Sequence, residues 1–374
     1  MARTQEALYE RIDLELSWSE DALPQIERTK HVHGLHPYLG KFVPQLVETF
    51  LKRYFRPGDS IYDPFAGSGT TLVEANTFGA HAVGCDISAF NCLLCEVKTG
   101  DYLLAALESA LEGALESSRR RRQPGAAGAS QWLRSWYAPQ ALHELLAYRE
   151  AIGELDGPSR NVARIVLSRA ARSARQTTHF DLDLPRAPKR EAYWCHKHKR
   201  TCRPVEEARK FLRRYTVDTV RRLHAFSELR SDADVAVLHG DARTMELSLV
   251  PTGMITSPPY PGLLDYHEQH RYAYELLGLV DRRGEEIGTA SGGQSRTAVR
   301  NYVEATTAVL QNARAQMPSH APVIIVVHDS KGLYPEILER SGLQLEERLT
   351  RHVNRRTGRR AGEFFEDILV CSTR

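Results

Sequence analysis

The chain has 374 residues, 42% hydrophobic and 26% charged, with a formal net charge of +3. That is room for one large core or two smaller ones, and it excludes a disordered or collagen-like chain. No apolar run nears the roughly 20 residues that span a bilayer. MARTQEALYERIDLEL at the start holds no signal-peptide core, and the six cysteines are scattered. The expected location is therefore the reducing cytoplasm.

Residues 1–30 are polar. His36-Pro37-Tyr38-Leu39-Gly40-Lys41-Phe42-Val43-Pro44 reads as a turn, and apolar spacing predicts a helix over 45–55. A strand at 60–63, a helix at 70–77 and a strand at 80–85 make a β-α-β unit, which implies a parallel sheet. Residues 93–232 are helix-rich, with a break at 119–128. Strand patterns return at 234–238, 253–256, 322–327 and 367–371, and 284–295 reads as a mobile loop. The modest net charge hides a basic stretch: between Arg186 and Arg222 there are 13 Lys/Arg against 4 Asp/Glu. Such a stretch suits a polyanionic partner. The expected organisation is an α/β domain in two parts, 1–92 and 233–374, interrupted by a helical insertion at 93–232.

Two segments carry the chemistry. The first strand runs into Asp63-Pro64-Phe65-Ala66-Gly67-Ser68-Gly69-Thr70. Its glycines admit a close ligand, and the helix that follows offers an N-terminus to a carboxylate. Asp86, one helix and one strand further on, is suited to accept two ribose hydroxyls. Asp241, in Leu238-His239-Gly240-Asp241, ends a third strand and is suited to accept from an adenine amino group. The pattern departs from G-x-G-x-x-G, which argues against a dinucleotide.

Another strand ends in Thr256-Ser257-Pro258-Pro259-Tyr260. Consecutive prolines hold φ at about −65° and remove donors, fixing where the Pro258 carbonyl points. Ser257 Oγ and that carbonyl are suited to accept the two protons of an exocyclic amine. Tyr260 offers a flat face to an extruded base.

Together these segments resemble the amino-group DNA methyltransferases, which use S-adenosylmethionine to modify N4 of cytosine or N6 of adenine. The resemblance covers residues 1–92 and 233–374 and implies a Rossmann-like methyltransferase sheet. It implies cofactor contacts from Tyr38, Lys41, Asp63, Phe65, Gly67, Ser68, Gly69, Thr70, Asp86, Ile87 and Asp241, and catalytic roles for Ser257, Pro258, Pro259 and Tyr260. A serine heading x-Pro-Pro-Tyr points to N4 of cytosine in that family. Many such enzymes carry the catalytic motif ahead of the glycine motif, whereas here the glycine motif comes first. The implied partners are double-stranded DNA and, within a restriction–modification pair, a cognate endonuclease. The alternatives are an N6-adenine enzyme, an RNA guanine-N2 enzyme, or a DNA-binding protein that keeps the fold without the reaction.

Outside the motifs, Arg175 and His179, the basic run at Lys197, Lys199 and Arg200, and an arginine-rich hairpin tip with Arg355, Arg356, Arg359 and Arg360 are expected to face DNA. Arg348 and Arg351 belong to the same arginine group. Cys195, His198 and Cys202 have the spacing Cys-x2-His-x3-Cys. A structural zinc takes four ligands, and the fourth would be His196 or a remote residue. The stretch is read as a basic surface, with no metal expected. Asp265 and His267 read as polar residues at a helix start, with a place in the base pocket as the alternative.

Overall fold

Short apolar runs that end in acid, glycine or hydroxyl residues form the parallel centre of a seven-stranded sheet. The computed structural model describes residues 13, 15–41, 43–121, 128–179, 181–182, 185–353 and 364–374. The strands in chain order are β1 Ser60–Asp63, β2 His81–Asp86, β3 Tyr193–Cys195, β4 Arg200–Cys202, β5 Val235–His239, β6 Gly253–Thr256, β7 Pro322–Val327, β8 Leu343–His352 and β9 Phe365–Thr373. The main sheet has the order β5-β2-β1-β6-β7-β9-β8, while β3 and β4 form a separate hairpin. The first five strands are parallel, and β9 runs antiparallel to both β7 and β8.

From β1 the chain builds outward through β2 to β5, then returns to place β6 on the other side of β1. The order therefore reverses between β1 and β6, and ligands of open α/β sheets bind at the carboxyl ends of such strands.

The sheet is sandwiched, as its buried residues require. Ile61 and Ile255 face one hydrophobic cluster with α1, Pro44–Tyr54, and α2, Thr70–Phe78. Tyr62 and Met254, one residue along each strand, face another cluster on the opposite side. This period-2 alternation with both faces covered explains why β7, Pro-Val-Ile-Ile-Val-Val, is apolar almost throughout.

The third cluster belongs to the helices. Helix α3, Ala89–Thr99, is followed by α4 Leu104–Arg120, α5 Gln131–Trp136, α6 Pro139–Ile152, α7 Gly157–Ala174 and α8 Arg209–Ser227. These share one core that includes Phe90 and Leu94 of α3 and Tyr272 and Leu276 further on. These helices thus pack onto the sheet through α3. That helix runs unbroken across position 92/93, so a boundary there falls inside a helix, and Gly100 is the first break. Further helices are α9 Tyr266–Gln269, α10 Arg271–Leu277, α11 Arg296–Ala315 and α12 Tyr334–Ser341, and short turns of helix lie at Gln25–Arg28, His31–Gly34 and Arg283–Glu285. Among the described residues, no helix is long and apolar enough to cross a membrane.

Candidate active site

The carboxyl ends of β1, β2, β5 and β6 converge on a cavity of about 860 Å³, the solvent-open mouth included. Its floor is the glycine turn after β1. Gly67 and Gly69 have φ of 50° and 73°, left-handed values that favour glycine. A Cβ on Gly69 would stand 2.9 Å from Cys95 Sγ, so the turn presses directly on α3. Lys98 of α3, fully buried, donates its ammonium to the Ser68 carbonyl. Burial, with nearby Lys41 adding to it, lowers the Lys98 pKa to about 7. Lys41 itself donates to the His33 carbonyl at 2.7 Å, and burial lowers its pKa to about 8.

Asp86 is gripped from three directions. Its carboxylate accepts from the amides of Gly67 and Ser88, both at 2.8 Å, and from Asn91 Nδ2 at 3.1 Å. Burial raises its pKa to about 6 while these donors oppose the rise. At neutral pH it is an oriented anion on the cavity wall, able to accept further hydroxyls. The Oδ1 of Asn91 is buried with no hydrogen-bond partner among the described residues. Tyr38 receives the Asn91 amide at 3.1 Å, and its ring stacks on Tyr266 at 5.7 Å.

All the expected cofactor contacts line this cavity except Asp63 and Gly69. Gly69 shapes the turn from behind. Asp63 is 1% exposed, and its Oδ1 accepts from Thr256 Oγ1 at 2.6 Å and from the Phe65 amide at 3.1 Å. It is a brace that ties the end of β1 to the end of β6, so the glycine turn and the Ser-Pro-Pro-Tyr loop share one anchor. Burial raises its pKa to about 6. Asp241 lines the cavity, but its carboxylate is held by Arg243 at 2.6–3.0 Å. That hydrogen-bonded pairing lowers its pKa and orients the carboxylate on the cavity wall.

Ser257 and Pro259 form part of the same wall. Ser257 Oγ donates its hydrogen to the Val326 carbonyl of β7 at 3.0 Å. In that arrangement the oxygen keeps its lone pairs for a further donor. Pro258 and Tyr260 do not line this cavity. Tyr260 instead opens a second cavity of about 800 Å³, together with His328, Lys331 and Phe364. Its ring lies 6.1 Å from His328 and 6.3 Å from Phe364. Its hydroxyl donates to Glu366 at 2.8 Å, and Glu366 in turn holds Arg351 at 2.6 Å.

Several residues that sequence reasoning passed over complete the site. Ser88, Asn91, Tyr266, Glu285 and Glu286 line the first cavity. Glu286 pairs with buried His267, whose amide also donates to it at 2.7 Å, and this anchors the start of the segment read as a mobile loop. His267 and Asp265 line neither cavity. Asp265 instead accepts from Ser291.

The residues expected to face DNA divide. Lys197, Lys199 and Arg200 are exposed at the turn of the β3–β4 hairpin. Arg175 is not a surface group: it is 3% exposed, donates to the Leu182 carbonyl at 2.6 Å and lies over the Tyr272 ring at 4.5 Å. Arg351 is buried against Glu366, and Arg348 pairs with Asp367 at 2.6 Å. His179 sits among Tyr193, Cys195 and His198. Arg355, Arg356, Arg359 and Arg360 lie outside the described residues, as do Phe42 and Phe180.

A family model described as DNA methylase matches residues 6–96. The type II methyltransferase M.MjaII of Methanocaldococcus jannaschii is 36% identical over 96% of this chain and 84% of its own length. The chain belongs to the amino-group DNA methyltransferase family. The type II methyltransferase M.MvaI of Kocuria varians is 36% identical over 70 residues, 18% of this chain and 15% of that protein. Among solved structures, the rRNA methyltransferase AviRa of Streptomyces viridochromogenes has a TM-score of 0.35 at 13% identity, covering 90% of this chain and 88% of that one.

S-adenosylmethionine is accordingly the methyltransferase's cofactor, and the cavity is chemically suited to it. Asp86 is an ionised acceptor for hydroxyls, and the unpartnered Asn91 Oδ1 awaits a donor. Lys41 and the N-terminus of α2 at Thr70 supply positive charge for a carboxylate.

Proposed function

We propose that this methyltransferase modifies N4 of cytosine at a specific site in duplex DNA. One observation carries the amine-holding role: Ser257 Oγ, on the wall of the cofactor cavity, donates to the Val326 carbonyl and keeps lone pairs for an N–H, while the choice of cytosine rests on the serine that heads Ser-Pro-Pro-Tyr. An exocyclic amine is an awkward nucleophile because its lone pair is delocalised into the ring. Acceptors on both N–H groups draw the nitrogen toward sp3 geometry. Ser257 Oγ and the Pro258 carbonyl are assigned these two positions, and the second cavity beside Tyr260 is assigned to the extruded base.

When bound, S-adenosylmethionine supplies an electrophilic methyl group. The protein's own share is to hold the amine in line, exclude water, and accept the two N–H groups at Ser257 and Pro258. The nitrogen sheds a proton only as it becomes cationic, so no strong base is required. Lys197, Lys199 and Arg200 are assigned to the DNA backbone, since exposed cations suit phosphates. A cognate endonuclease belongs to the same reading as the family's usual partner.

The test is nucleoside mass spectrometry on DNA from cells expressing the parent chain or Ser257→Ala. The parent is expected to produce N4-methylcytosine and the variant almost none. N6-methyladenine in its place would move the target to adenine. Tight, specific DNA binding with neither modified base would make the protein a binder that has kept the fold alone.

A further inference from the structure

We propose that His179, Cys195, His198 and Cys202 form a structural zinc site that fastens the basic β3–β4 hairpin to the chain leaving α7. The spacing within the hairpin supplies three ligands, and the fold supplies the fourth. His179 lies five residues beyond the end of α7 and reaches the hairpin through space.

The register brings the sulfurs to one face. Cys202 pairs with Tyr193, two residues from Cys195, so the cysteines are diagonal neighbours on the same side of the ladder. Both are buried, with free thiols. The turn between them passes through Lys199 at φ 50°, a left-handed value rare for a lysine. It carries His198 back over the strands, so that its Nδ1 lies 3.4 Å from Cys202 Sγ. His179 Nδ1 lies 3.6 Å from Cys195 Sγ, and the two imidazoles meet edge to face at 4.5 Å.

These distances are those of a tetrahedron's edges. Zn–S bonds of about 2.3 Å and Zn–N bonds of about 2.0–2.1 Å at tetrahedral angles place S and N about 3.5 Å apart. The remaining edges are also short, since all four ligand atoms lie within 4.8 Å of one another. Closing the longest onto an ion takes a side-chain movement of about 1 Å. Tyr193 Oη lies 2.8 Å from His179 Nδ1 and also receives the His179 amide at 3.1 Å; with the ion bound it keeps the amide.

The hairpin also needs a fastening. Its strands are three residues each, Trp194 is 58% exposed, and neither cysteine belongs to the hydrophobic clusters of the described residues. A two-stranded ribbon this short does not hold itself in water. Binding releases two thiol protons, and the two thiolates neutralise the dication, so the neighbouring lysines are no obstacle. The other group of potential ligands among the described residues, His31, His33 and Glu74, already has its cation, with Lys30 Nζ 3.3 Å from Glu74.

The test is elemental analysis of the full-length protein after equilibration with zinc ion and removal of the excess. The parent is expected to retain about one zinc per chain. Cys195→Ser, Cys202→Ser, His198→Ala and His179→Ala are each expected to lose most of it, while Cys371→Ser, in β9, retains it. Cofactor binding at the parent's level shows that each variant is folded. In the cobalt-substituted parent, thiolate charge-transfer absorption is expected and the His179 variant alters it. A parent that binds no zinc overturns the proposal. So does a His179→Ala protein with full zinc content and an unchanged cobalt spectrum.

Discussion

Thr256→Val removes one hydroxyl from the seam between the two motifs and preserves the volume. The Thr256 hydroxyl donates to Asp63 at 2.6 Å, with both residues buried. A hydrogen bond to an ionised acceptor contributes about 1.5–3 kcal/mol, and one between neutral groups about 0.5–1.5 kcal/mol. Which applies depends on Asp63, whose pKa burial has raised to about 6. Near pH 8 the parent carboxylate is charged, so the variant loses about 1.5–3 kcal/mol. The excess over the neutral-form loss, about 1–1.5 kcal/mol, equals about one pKa unit, and it carries the variant's Asp63 up to roughly 7. Near pH 5 the carboxyl is protonated in both proteins, and the penalty falls to about 0.5–1.5 kcal/mol. Folding raises this acid's pKa from 3.8, so for the parent the group favours the folded state increasingly as pH falls through about 6. Urea unfolding of parent and variant at both pH values measures the difference. Equal penalties at the two, or less than about 0.5 kcal/mol near pH 8, would refute the brace.

The other expectations are more direct. Ser257→Ala is expected to slow single-turnover methyl transfer by about 10²–10³ with little change in cofactor affinity, and a loss under about threefold would remove Ser257 from the chemistry. Calorimetry should find S-adenosylmethionine affinity falling toward tenfold per unit well below pH 6, as Asp86 protonates and stops accepting, and declining again above about pH 8, as Lys41 loses its charge. An unchanged affinity at pH 5 sinks that role for Asp86. Arg175→Ala should lower thermal stability, through loss of the Tyr272 and Leu182 contacts, without altering the salt dependence of DNA binding. The triple replacement of Lys197, Lys199 and Arg200 by alanine should do the reverse, reducing the salt slope by up to about 3.

The parts of the site that could be read in sequence were those where local chemistry and strand patterning agree. Gly67 and Gly69 stand where the backbone needs positive φ, and apolar runs ending at Asp63, Asp86 and Thr256 became strands whose ends meet. Roles that depend on what lies across the fold were not legible. Nothing beside Asp63 in sequence shows that Thr256 will occupy it. Arg175 reads like any exposed arginine until α10 brings Tyr272 beneath it. The β3–β4 hairpin escaped because three-residue strands show too little alternation, and its helical neighbours dominate the composition.

Locking the Ser257 hydrogen onto the Val326 carbonyl has a selective consequence. Thymine and uracil carry an oxygen where cytosine carries its amine. Such a keto group would meet the serine lone pairs with no proton between them, a mismatch of about 1–3 kcal/mol for each buried polar atom left unsatisfied. With the amine placed at Ser257 as proposed, a base would be sorted by its hydrogens before its ring is judged for shape, and the strand next door, by holding a single proton, would set the polarity of the filter.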